Sequence, residues 1–369
     1  MRRAGELLAT LCVLAFVVTL YGCGGQSGTK GGTAGTAGKP PSPPSHVSYT
    51  VTDMGTFRPF EINAAAQVAG ATQSSNTAAI WAGGAVTDLG LTPASCGMGI
   101  NDTGTVVGYW RDSSNTVRAF VRQGGQTTRL DPVVGPPASG AEGVNNSLQV
   151  VGNSYQDNFS LPEDSHACLW KKDASGSWTV ADLGALTGYA FSQAAAINSA
   201  GQVAGAVKNP GGQLQAALWS AGGFTVLGTL GGTLSEAFAL SDAGRVVGWS
   251  RVADGKAHAF LWQGAGMQDL GTLDCTYNQS EAWDINDAAT PQIVGDSYYY
   301  RPRPSPGAYI YRACLWEGGR VYDLNNYLVP DGNTWVLKGA GIINDAGQIV
   351  AGGTCNGTDY RTCLLTPKK

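Results

Sequence analysis

The chain has 369 residues, only 14% of them charged, with a net charge of −4 and 53 glycines. So sparse and slightly acidic a surface argues against a nucleic-acid partner, which needs clustered Lys and Arg against phosphates. The three histidines, His46, His166 and His258, are too few for a His-rich metal centre, and neither metal nor cofactor is expected. In chain order, Arg2 and Arg3 precede an apolar run from Leu7 to Tyr21. A basic start and a short apolar run read as a secretion signal, residues 1–22, and are too short for a membrane span.

The signal ends in Leu20-Tyr21-Gly22-Cys23, which resembles the bacterial lipobox. That resemblance implies lipidation of Cys23 and a membrane anchor. The absence of Asp after it implies an outer-membrane lipoprotein, at the cell surface or on the periplasmic face. Residues 23–46 form a linker, flexible where Gly and Thr dominate and stiff at Lys39-Pro40-Pro41-Ser42-Pro43-Pro44. It has almost no apolar side chain to bury, so it predicts disorder.

Residues 47–369 repeat one pattern. The copy from Leu227 to Gly271 reads Leu-Gly-Thr-Leu-Gly-Gly, then Asp242-Ala243-Gly244-Arg245-Val246-Val247-Gly248, then His258-Ala259-Phe260-Leu261-Trp262, then Asp269-Leu270-Gly271. Seven anchors recur at Asn63, Asn101, Asn145, Asn198, Ser241, Asn286 and Asn344. Their spacing runs from 38 residues (Asn63 to Asn101) to 58 (Asn286 to Asn344). Each interval holds four short strands. The Asn-Asp-x-Gly segment between the first two suits a hairpin turn, since Asn starts turns and Gly accepts positive φ. One Asp per turn is too few for a calcium loop. Five of the ten tryptophans, Trp81, Trp170, Trp219, Trp262 and Trp316, end the third strand, marking a shared packing layer.

Four strands at this period predict an all-β fold, a seven-bladed β-propeller with four-stranded blades. The chain opens on a lone fourth strand, Tyr49 to Gly55, and closes on a lone third strand, Arg361 to Leu365. The last blade is therefore expected to be completed by the N-terminal strand, which removes both sheet edges.

These copies resemble the HAF-type extracellular repeat family of bacteria, over nearly all of Tyr49 to Leu365. The resemblance implies an exported protein of repeated β units and no catalytic residue. Thr77, Arg118, Gln215, Arg312 and Arg361 stand where His166 and His258 stand in their copies, so the motif histidine is not a required chemical group.

Function is expected where the copies disagree. Five residues before the anchor, Arg58, Gln193, Glu236 and Glu281 interrupt a series otherwise made of Cys96, Gly140 and Gly339. On an inner strand they would ring one mouth of the central channel, and Glu236 with Glu281 could perform acid–base work on a sugar. Two insertions between second and third strands add recognition residue types. One carries Tyr155, and the other carries Tyr298, Tyr299, Tyr300, Arg301, Arg303, Tyr309 and Tyr311. Among the cysteines, Cys168, Cys314 and Cys363 occupy the Phe position of the third strand and read as core; Cys355 with Cys363 is the candidate disulfide. The expectation is a monomeric binding module for a protein or glycan partner. The alternatives are an exported lyase or glycosidase acting at the channel mouth, and a purely structural envelope protein.

Overall fold

The computed structural model describes residues 48–91, 94–133, 137–155, 165–184, 189, 191–221, 223–302, 307–357 and 360–368. The signal, Cys23, the linker, Arg303 and most of the insertion after Tyr155 lie outside these.

Seven antiparallel sheets of four strands follow one another in the chain. Blade one is Arg58–Ile62, Val68–Ala71, Ala78–Ala82 and Ala85–Asp88. Blade two is Ser95–Ile100, Val106–Arg111, Val117–Gln123 and Gln126–Leu130. Blade three is Ala138–Val144, Val150–Tyr155, His166–Lys172 and Trp178–Asp182. Blade four is Ser192–Ile197, Val203–Lys208, Leu214–Ser220 and Gly223–Gly228. Blade five is Gly231–Leu240, Val246–Val252, Ala257–Trp262 and Met267–Asp269. Blade six is Gln279–Ile285, Ile293–Arg301, Ala308–Glu317 and Arg320–Asp323. Blade seven is Trp335–Ile343, Ile349–Cys355, Tyr360–Lys368 and, from the other end of the sequence, Ser48–Gly55. In that blade Val51 pairs with Leu365 and Tyr49 with Pro367. The protein is a seven-bladed β-propeller.

The core lies between blades. Short strands of alternating apolar residues give each sheet two apolar faces, and each face buries against the next blade. Blade six supplies Ala282, Ile285, Cys314 and Trp316 to a cluster with Ala239, Val247, Ala259 and Leu261 of blade five. Trp81, Trp170, Trp219 and Trp316 are buried, and Trp170 Nε1 donates to the Asp131 carbonyl at 2.6 Å. The Phe position of the third strand is fully buried whether it holds Phe120, Phe260, Cys168, Cys314 or Cys363. It is a packing site.

The proposed Cys355–Cys363 disulfide is not present. Cys363 pairs with Ala351, four residues along the strand from Cys355, and the two thiols are unbridged. Four residues of strand separate the Cα atoms by roughly 13 Å, about twice what a disulfide spans.

Two features mark the inner strands. Every inner strand carries a bulge, for example between Ala237 and Ala239 and between Ala282 and Asp284. The backbone crowds there, and a Cβ on the second-strand Gly248 or Gly295 would run into the Glu236 or Glu281 carbonyl. The turn asparagine is more than a turn former. Asn101 Oδ1 accepts from the backbone N–H of Thr103 and Thr105, while its Nδ2 reaches the Asn145 carbonyl of the next blade at 3.0 Å. Asn63, Asn145, Asn198, Asn286 and Asn344 make the same inter-blade bond.

Candidate functional site

In each blade the Asn turn joins the first two strands at one end of the propeller. The start of the inner strand, and the connection from second strand to third, must then lie at the opposite end. The variable mouth position and the two insertions therefore share one end, although they are far apart in sequence.

At blade six they meet. Glu281 pairs across the strands with Asp296, and both are nearly buried, at 6% and 5% exposure. Tyr298, two residues beyond Asp296, donates its hydroxyl to Glu281 Oε1 at 2.8 Å. Trp283 Nε1 donates to Asp296 Oδ1 at 2.8 Å. Blade five adds Glu236, whose Oε2 accepts from Trp249 Nε1 at 3.2 Å, and Phe238, stacked on Trp283 with centroids 4.5 Å apart. Burial pushes Glu236 up to about 7. It pushes Glu281 up to about 7 as well, helped by the neighbouring Glu236 charge and opposed by the Tyr298 hydrogen bond. Asp296 is held well above the usual carboxylate range by burial and then by the Glu281 charge. Among the described residues none of these three carboxyls has an ion-pair partner.

Above them the blade-six hairpin is extended by its insertion. Alternation sets Tyr298, Tyr300, Tyr309 and Tyr311 on one face. Tyr298 and Tyr311 lie 5.0 Å apart, Tyr300 and Tyr309 5.1 Å, and Tyr298 and Tyr309 5.8 Å between centroids. Exposure rises outward, from buried Tyr298 to 37% for Tyr309 and 51% for Tyr300. On blade seven Tyr360 is half exposed, but its hydroxyl is tucked against Gly352; burial of the hydroxyl and then Asp296 raise the phenol to about 12.

Not every candidate joins this cluster. Tyr299 points to the other face, edge-on to Tyr277 at 5.2 Å, where Arg312 also lies over the Tyr277 ring. Arg301 is exposed at the hairpin tip. Arg58 donates to Asn76 Oδ1 within blade one. Gln193 is half-buried on blade four, and no side-chain hydrogen bond ties it to the carboxyls. Tyr155 occupies the blade-three position equivalent to Tyr298 and is buried, with burial and then Glu142 raising its phenol.

Asp296, Trp283, Trp249 and Tyr360 escape the sequence reading because they lie on strands read as packing. The signal existed. After the Gly of the second strand (Ala351 in blade seven), the copies hold Ala71, Tyr109, Asn153, Ala206, Trp249, Asp296 and Gly352, so Asp296 is the one acid in the series. A second carboxyl pair sits nearer the Asn turns, also unforeseen. Burial and then Asp284 raise Glu61 to about 8, and burial raises Asp284 to about 7. No group of three or more metal-ligating side chains occurs among the described residues.

The motif histidine has a structural partner. His166 Nδ1 lies 2.9 Å from Asp182, and His258 Nδ1 lies 2.8 Å from Asp269. Where His is replaced, Thr77 donates to Asp88 at 2.6 Å and Arg361 pairs with Asp53 at 2.9 Å. The residue satisfies the Asp of the fourth strand, and several donors serve.

No protein-family model and no curated protein matches the chain. Among solved structures it is similar to the acylaminoacyl peptidase of Pyrococcus horikoshii, with a TM-score of 0.50 and 11% identity. That match covers 87% of this chain and 52% of the peptidase, so the chain spans about half of that protein. Aleuria aurantia lectin in complex with Fucα1-6GlcNAc matches with a TM-score of 0.38 and 13% identity, over 78% of this chain and 97% of the lectin. Trypanosoma rangeli sialidase in complex with sialic acid gives 0.39 and 12%, over 88% and 59%. At 11% identity the likeness to the peptidase shows the fold alone.

Proposed function

We propose that this protein is a binding module of the cell exterior, held to the outer membrane through lipidated Cys23 and the linker, which captures a glycan at the blade-six end of the channel. The observation that carries this reading is the four-tyrosine face of Tyr298, Tyr300, Tyr309 and Tyr311 standing over Glu281 and Asp296. Flat aromatic faces stack on sugar rings, and the carboxyls beneath can accept or donate hydrogen bonds to hydroxyls. The outer tyrosines are exposed while the inner one is locked by its hydrogen bond, which presents a rigid platform. The HAF-type repeats support an exported setting.

A glycan panel against the purified full chain and its Tyr300→Ala and Tyr309→Ala variants tests the reading. Retention of at least one glycan class, reduced about tenfold or more by either substitution, supports it. Retention indifferent to both tyrosines places the ligand elsewhere.

One observation favours a second reading. Burial pushes the neighbouring Glu236 and Glu281 up to about 7, and a carboxyl that holds its proton near neutral pH can serve as the general acid on a glycosidic oxygen while its neighbour ionises. An exported lyase or glycosidase would lose turnover of a panel glycan in E236Q and in E281Q alike. Binding without turnover in the unsubstituted chain leaves the binding module.

A further inference from the structure

We infer that the glycan taken at the blade-six mouth carries a free amine, and that its ammonium group sits between the tyrosine face and the carboxyls of Glu236, Glu281 and Asp296. This rests on the binding reading above and adds the chemistry of the ligand.

The fold does not need these acids. The position of Glu281 and its cross-strand partner Asp296 is filled in other blades by Arg58 with Ala71, Cys96 with Tyr109, Gly140 with Asn153, and Gln193 with Ala206. All four pairs keep the same bulge and the same register without an acidic pair. Glu281, Asp296 and Glu236 are thus an addition to a scaffold that folds without them. Burying three carboxyls together is unfavourable unless positive charge compensates. Among the described residues no ion pair supplies it. Glu281 and Asp296 each receive one side-chain hydrogen bond, from Tyr298 and from Trp283, and among the described residues no hydrogen bond reaches the second oxygen of either.

The surroundings are aromatic. Trp249, Trp283 and Tyr298 turn their N–H and O–H edges to the carboxyls, and the ring of Tyr311 lies beside Tyr298; aromatic faces exposed toward the mouth attract ammonium groups. Lys338, the base on the adjacent side of blade seven, lies 6.0 Å over the Tyr360 ring and pairs with none of the three acids. The tyrosine face offers the flat surface a pyranose needs, which favours an amino sugar over the side chain of a protein partner.

Isothermal titration of the full chain at pH 7 with a β-1,4-linked glucosamine tetramer and with its fully N-acetylated form tests the inference. The expected result is at least about tenfold tighter binding of the free-amine form. E281Q and D296N should bring the free-amine form down to the acetylated one. Equal or tighter binding of the acetylated form, still lost in Tyr309→Ala, overturns the amine and leaves the platform. Tighter capture of a lysine-rich peptide than of either sugar also overturns it. Binding of neither sugar, with no glycan retained by the panel, overturns both readings.

Discussion

Asn344 donates its Nδ2–H to the Asn63 carbonyl across 3.1 Å, joining two turns 281 residues apart. The same bond runs from blade to blade through Asn63, Asn101, Asn145 and Asn198, and is missing only where Ser241 faces Asn286. A side chain read as a turn former is also the clasp of the propeller. Asn344→Ala should destabilise the protein by about 1–3 kcal/mol, because it strips partners from the buried Asn63 carbonyl and the half-buried Gln348 Oε1. Chemical denaturation measures this, and no change in midpoint would make the clasp incidental.

Ser241 offers the converse test. Asn at that position can donate to the Asn286 carbonyl and complete the seventh link. Ser241→Asn is expected to raise stability by about 1 kcal/mol. A loss of stability of that size would show that blade five cannot seat the larger side chain.

The bulges make a steric prediction. Gly295 packs against the Glu281 carbonyl with no space for a Cβ. Gly295→Ala should cost several kcal/mol, on the order of an overpacked core site, and lower the thermal midpoint accordingly. Gly264 has a φ of +89° but open space around it, so Gly264→Ala should cost only about 1 kcal/mol, from backbone strain alone.

Stability should depend on pH in an unusual direction. Glu236, Glu281 and Asp284 are raised to about 7 and Glu61 to about 8. A carboxyl whose pKa is raised in the folded state holds its proton more tightly folded than unfolded. Its contribution is therefore full below its unfolded value, near 4, and lost as pH rises through 7 to 8. Unfolding free energy should fall between pH 5 and pH 8. E281Q removes the Glu281 share and should gain about 2 kcal/mol on the unsubstituted chain at pH 8 relative to pH 5. A flat profile in both proteins would contradict the burial of this charge.

The propeller was legible because a repeat states its own architecture. Seven anchors, a spare strand at one end and a missing one at the other were enough to count blades and pair Ser48–Gly55 with Tyr360–Lys368. What stayed hidden depends on side chains that meet across blades. The Asn clasp joins residues 38 to 58 positions apart within the chain, and 281 at the closure, while the same Asn satisfies its own turn. The sequence offered Glu236, Glu281 and the tyrosines as two separate features. Asp296 and Trp283, which bind them into one site, sit on strands whose neighbours are all core. Tyr299 reads like Tyr298 and Tyr300 in sequence, and strand alternation alone sends it to the other face.

The central claim is that the end of the propeller bearing the blade-six tyrosines is the binding end. Hydrogen exchange of the full chain, with and without a glycan retained by the panel, tests it most directly. Exchange should slow in Gln279–Ile285, Ile293–Arg301 and Ala308–Glu317, with the Asn turns unchanged. Protection confined to the turns at Asn63, Asn101 and Asn145, with the blade-six hairpin unaffected, would contradict it.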